Sequence, residues 1–225
     1  MEGAGEIAEL FPEAPTLEDA GGDQGVLDHM LKSREDGIKF MELMKKDDWK
    51  PHTDKNGVVL ETREYEGSDL LMSKVTTEVN VSATNALKAF RDFDLMRKVD
   101  GTGAEIKDVK SIDNANRYYY YCIPSMFLVS ARDAFNFAHE IELEDDSYLL
   151  MLIGVDVPDF DRNESAVEMK VTIMGAHFEE LDDDKCRMTK IAHVDLGGSI
   201  PTTFINWMIG ANHTQWKNLK DELES

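Results

Sequence analysis

The residues of this chain that could do chemistry are its six histidines, two cysteines, an arginine inside an apolar run and four consecutive tyrosines. The histidines are His29, His52, His139, His177, His193 and His213. None stands four residues from another, as a zinc-binding helical pair requires, and there is no Cys-x-x-Cys. The sequence also lacks a Gly-x-Ser-x-Gly elbow, a P-loop and a dinucleotide fingerprint. No metal and no cofactor is therefore expected. His177 and His193 fall on the last two expected strands, could share a face and could act as acid or base. The alternative is that both are hydrogen-bonded or half-exposed histidines, since nothing near them suggests a nucleophile.

Arg132 lies in a segment that otherwise reads Leu128, Val129, Ala134, Phe135, Phe137. A buried arginine must be paired or bound to an anion. It could hold the polar group of a bound molecule, or pair structurally with Asp133 or Asp195. Asn136, four residues on, shares its strand face and could add a neutral hydrogen bond, or be solvated. In the run 118–121, a strand sends Tyr118 and Tyr120 to one side and Tyr119 and Tyr121 to the other. Aromatic faces attract quaternary ammonium groups, which makes Tyr118 and Tyr120, or the opposite pair, candidate ligand contacts. Ordinary cross-strand packing is the alternative.

These side chains need a scaffold. Residues 26–49 carry an imperfect apolar stripe of helical period. Strands are expected over 57–64 and 70–81, then a helix capped by Ser82 and a short helix or turn over 94–100. A run of strands follows over 104–112, 116–123, 128–142, 148–155, 165–179 and 185–196. Gly197 and Gly198 stop the last strand, and Ser199 and Pro201 open a long amphipathic helix. Its apolar middle includes Phe204, Trp207 and Met208, interrupted by the small and polar stretch 210–213. Strands joined by short turns favour an antiparallel sheet, so the class is α+β.

The net charge is -21, and residues 1–24 hold seven acids and no base. That balance disfavours nucleic acid. Residues 1–24 read as an acidic disordered tail. No apolar run is long enough to span a membrane and no signal peptide is visible, which places the protein in the cytoplasm with Cys122 and Cys186 as reduced core thiols.

Three stretches, in this order, resemble the START domain, the lipid-binding domain of steroidogenic acute regulatory related proteins. They are Trp49 followed by Gly57-Val58-Val59, Ser130-Ala131-Arg132-Asp133, and Val194-Asp195-Leu196-Gly197-Gly198-Ser199-Ile200-Pro201 ahead of the long helix. The likeness spans 27–224 and implies one START-like domain over residues 25–225. It implies a helix-grip fold, a curved antiparallel sheet wrapped round the C-terminal helix, with an internal cavity for one lipid. The implied activity is lipid binding and lipid transfer by a monomer making transient membrane contact, the lipid being a phospholipid, ceramide or sterol. Phe204, Trp207, Met208 and Ala211 would line the helical lid, with Phe160 on the loop beside it; plain core packing is the alternative for all five. His177, Arg132, Asn136, Tyr118 and Tyr120 complete the candidate ligand contacts. Two departures stand out. Sterol-binding relatives often carry a second arginine six residues beyond the first, where this chain has Ala138, and a Trp-Asp turn of the family is replaced by Val99-Asp100. Related helix-grip folds include cyclases and hydrolases, so an enzyme acting on a hydrophobic molecule is a further expectation to test, as is a lipid-sensing adaptor.

Overall fold

The structure, a computed structural model, describes every residue except Met1, Phe127, Leu128, Pro158, Asp159 and Asp161, and the side chains of residues 2–4, 202, 203, 206 and 207 are also outside the description. Chain order is α1 (Glu2–Ala8), α2 (Gln24–Met44), β1 (Lys50–Lys55), β2 (Val58–Glu64), β3 (Leu71–Val79), α3 (Ala83–Arg91), α4 (Phe93–Val99), β4 (Glu105–Ser111), β5 (Asn116–Ile123), β6 (Arg132–Glu142), β7 (Tyr148–Gly154), β8 (Val167–Glu168), β9 (Lys170–Asp182), β10 (Lys185–Asp195) and α5 (Thr202–Leu223). Nine strands form one sheet in the order β1-β2-β3-β10-β9-β7-β6-β5-β4, and β8 adds a short parallel pairing to β6. Every other pairing is antiparallel, so the last strand closes against β3 and leaves β1 and β4 at the edges.

Local chemistry sets the helix ends. The Asp23 carboxylate accepts from the Gly25 and Val26 amides and starts α2. That helix ends at Met44, short of the expected Trp49, whose indole instead donates to the Leu43 carbonyl at 3.0 Å. Ser82 caps α3 as expected, accepting from the Asn85 amide. Asp92 sits in extended conformation between α3 and α4 and caps the second. Ser199 does not cap α5. Gly197 and Gly198 both have φ of 65°, and the helix starts at Thr202 behind Pro201, with no side-chain cap. β1 escaped the sequence reading because it is an edge strand, exposed on both faces, with Pro51 as its second residue.

Residues 5–24 are not wholly solvated. Ile7 and Phe11 are buried against Phe40, Met41, Leu149 and Met151. Gly37 makes this possible, since a Cβ there would lie 2.9 Å from the Phe11 ring. The Arg34 guanidinium stacks over that ring and donates to the Pro12 carbonyl. Acidic composition conceals the segment because its few apolar side chains are the ones that dock.

Strand parity divides the sheet. Tyr118, Tyr120, Phe137, Leu149, Met151, Ile173 and Ile191 belong to clusters beside the N-terminal segment, α2 or the 155–166 loop. Their alternates, with Ala138, Leu150, Ala176, Phe178 and Met188 among them, pack toward α3 and α5. Buried histidines sit on the first face. Burial holds the His139 imidazole down at about 4, and it bonds Asn116 Oδ1 at 2.6 Å. The unfolded chain, with histidine near 6.5, binds the extra proton first, so this stability is present above pH 6.5 and lost as pH falls toward 4. The loss should reach on the order of 3 kcal/mol. His139→Gln should flatten that part of the curve, measured by denaturant titration at stepped pH.

Candidate functional site

A cavity of about 240 Å³ lies between the second face of the sheet and α5. Its floor is apolar, with Ala138, Leu150, Leu152, Ala176 and Val194 from four strands. Its roof is the α5 side that carries Ile205, Met208, Ile209, Ala211, Asn212 and Trp216. Ala211 and Asn212 of the small and polar stretch face inward here, which explains part of the interruption in its apolar face. Met96 and the Asp100–Thr102 turn close one side.

Polar groups reach this apolar space from several elements. Asn136 is 2% exposed on the wall, and among the described residues its Oδ1 has no hydrogen-bond partner. Tyr119 stands directly opposite it on β5. The Tyr121 hydroxyl donates to Asp100 at 3.1 Å, and burial raises its pKa strongly. Arg117 faces Ala138 across the β5–β6 pairing, stacks 4.3 Å from the Phe93 ring and donates to the Phe90 and Arg91 carbonyls that end α3. Lys190 projects from β10 toward the helix, and its ammonium donates to Asn212 Oδ1 at 3.0 Å. Removal from water lowers that ammonium to about 8.

The candidate residues divide. Asn136, Met208 and Ala211 line the cavity. Tyr118 and Tyr120 do not; they point to the other face, and Tyr119 and Tyr121 take the cavity side. Tyr118 bonds His29 Nδ1 at 2.9 Å. Phe204 is half-buried against the Ala104, Ile123 and Leu196 cluster. The side chain of Trp207 lies outside the described residues. Phe160 packs on Tyr120 and Phe135, away from the cavity. His177 bonds Ser147 Oγ at 2.9 Å, and His193 stacks on Tyr65. Both histidines are on the face opposite the cavity, and pairing sets His177 against Thr189, four residues from His193 and so roughly 13 Å along the strand.

Arg132 pairs with neither of the carboxylates weighed from sequence, Asp133 and Asp195. Among the described residues no carboxylate pairs with it. Its guanidinium donates to the carbonyls of Leu196 at 2.9 Å, Ser130 at 2.6 Å and Gly197 at 3.4 Å. Asp133 pairs instead with Arg162 at 2.6 Å and accepts from the Tyr120 hydroxyl at 2.9 Å. Adjacent residues of one motif thus tie down two different segments: the turn that launches α5 and the loop before β8. Arg132→Met should destabilise the fold by roughly 2–3 kcal/mol, the worth of charged hydrogen bonds to carbonyls left without a donor. Hydrogen exchange should quicken most over residues 196–205.

Lys190 and Arg117 were missed. Lys190 had a legible signal: it shares parity with Met188, Ala192 and Val194, an otherwise apolar set. Arg117 had none, because its partners are helix-end carbonyls 26 and 27 residues away.

The sequence matches the START domain over residues 40–218. The chain belongs to the START family. No curated protein matches it. Among solved structures, human StAR-related lipid transfer protein 5 shares 18% identity and a TM-score of 0.76, covering 92% of this chain and 98% of that one. Human STARD10 shares 17% identity with a TM-score of 0.68, covering 95% of this chain and 83% of that one. A STAR-related lipid transfer protein fragment from Xanthomonas axonopodis shares 21% identity with a TM-score of 0.68, covering 79% and 99%. At these identities the likeness is one of fold, and this START domain has the α+β helix-grip arrangement expected from its sequence. Among the described residues no helix is long and apolar enough to cross a membrane.

Proposed function

We propose that this START domain binds one lipid in the cavity beneath α5 and transfers it between membranes. The observation that carries the reading is the roofed apolar cavity itself, in a chain similar in fold to human StAR-related lipid transfer protein 5. Each methylene moved from water into such a space gains roughly 0.8 kcal/mol, so a long chain is held firmly. Release then needs α5 to lift, and the turn 197–201 ahead of the helix is the hinge. Opening at a bilayer replaces water with acyl chains and lowers the cost of release. With net charge -21, contact with the bilayer is made through apolar side chains rather than by attraction to anionic head groups.

An enzymatic reading finds less support. His177 and His193 are buried on the face away from the cavity, so neither meets a molecule bound there. The proposal is tested with the purified protein and vesicles holding a fluorescent lipid. Met208→Asp, which sets a carboxylate on the roof, is expected to slow transfer about tenfold or more, because an unpaired charge is costly beside an acyl chain. Transfer at the wild-type rate by a folded Met208→Asp protein would place the lipid elsewhere.

A further inference from the structure

The cavity wall differs in charge from the molecule around it. The whole chain carries -21, yet the charged groups described on the wall are Asp100, Arg117 and Lys190, one more cation than anion. Arg117 is engaged by the α3 carbonyls and the Phe93 ring. Asp100 is satisfied by neutral donors: the Tyr121 hydroxyl and the Thr102 amide and hydroxyl. Lys190 differs from both. An ammonium has three donors, and among the described residues only Asn212 Oδ1 accepts from it, with no carboxylate in ion-pair range. A cation held in a dry space with two donors unused is costly unless an acceptor arrives.

We propose that the lipid carried here is a single-chain amphiphile with a monoanionic carboxylate head, of the long-chain fatty acid class, and that the head seats on Lys190 beside Asn212. This rests on the carrier reading above and names its ligand. One carboxylate cancels the surplus charge of the wall and fills the free donors of Lys190. A doubly charged phosphate would leave one negative charge uncompensated near Asp100. At about 240 Å³ the cavity lies below the usual range of ~300–1,000 Å³ for small-molecule pockets, so one chain already requires α5 to move outward and two would require a far larger movement. The chain then runs over Ala138, Leu152 and Ala176. Because Asn212 belongs to α5 and Lys190 to β10, the head group competes for the contact that ties roof to wall.

The test is a competition followed by native mass spectrometry, offering the full chain palmitate, methyl palmitate and palmitoyl lysophosphatidic acid at equal concentration. The wild type is expected to favour palmitate at least tenfold over the ester and over the lysophosphatidic acid. Lys190→Met should lose that preference while still taking up the ester, and Lys190→Arg should keep most of it. Carboxyl-labelled palmitate adds a spectroscopic arm: its bound ¹³C resonance should titrate at lower pH than in vesicles, and this displacement should vanish in Lys190→Met. A folded Lys190→Met protein that retains the preference overturns the assignment of the head group. A wild type that takes the ester as readily as palmitate overturns the ligand class but leaves the carrier reading standing. Preference for lysophosphatidic acid overturns the charge argument. Uptake of none of the three, nor of vesicle lipid, overturns the carrier reading and this inference with it.

Discussion

Ala138→Phe is expected to abolish lipid uptake, with bound lipid falling about tenfold or more, while the protein stays folded. Ala138 lies on the cavity floor, across from Arg117 on one side and Leu152 on the other. A phenyl ring there projects into the space a lipid chain would use. Overpacking a filled core costs ~1–3 kcal/mol, but an open cavity absorbs the ring and gains apolar burial in return. Thermal stability should therefore be unchanged or raised. Uptake is measured from vesicles carrying a fluorescent lipid, and the melting temperature is measured on the same preparation. The combination matters, because loss of uptake with loss of structure would say nothing about the cavity.

Trp216→Ala should have the largest effect on stability. Trp216 is 1% exposed, packs on Phe90 and contributes to the cavity roof. Phe90 in turn packs edge-on against Phe178 of β9, so one aromatic stack joins α5, α3 and the sheet. Truncating a buried tryptophan costs ~3–5 kcal/mol through lost burial and the void left behind. For a chain of this size the melting temperature should fall on the order of 10 °C. The void opens into the cavity, so saturating lipid should restore part of the loss by mass action. Calorimetry with and without lipid measures both effects.

Much of this architecture is legible in the sequence, for reasons that particular residues show. The Gly197-Gly198 turn and the helix after Pro201 could be placed because two glycines and a proline restrict the backbone whatever surrounds them. The direction of the tyrosine run could not. Parity separates Tyr118 and Tyr120 from Tyr119 and Tyr121, but the sheet is covered on both faces, by α2 and the N-terminal segment on one and α3 and α5 on the other. Neither face reads polar, so alternation carries no sense of which side holds the cavity. Arg132 shows a different limit. Its burial follows from the apolar residues around it, yet its acceptors at Leu196 and Gly197 lie 64 and 65 positions away, and backbone carbonyls leave no trace in a side-chain pattern. Lys190 was available in principle, as a lone charge in the inward set of a strand. Asn136 was singled out because it shares a strand face with Arg132, and the structure adds that its Oδ1 lacks a partner among the described residues.

The proposed function requires a lipid in the space beneath α5. Photo-crosslinking tests it most directly, using a lipid with a diazirine in its acyl chain, loaded from vesicles and mapped by peptide mass spectrometry. One lipid per chain is expected, attached to peptides bearing Met208, Ala211, Leu152 or Ala176. Labelling confined to peptides of the opposite face, at Tyr118 or His29, or no labelling under conditions where the vesicles themselves crosslink, would contradict it.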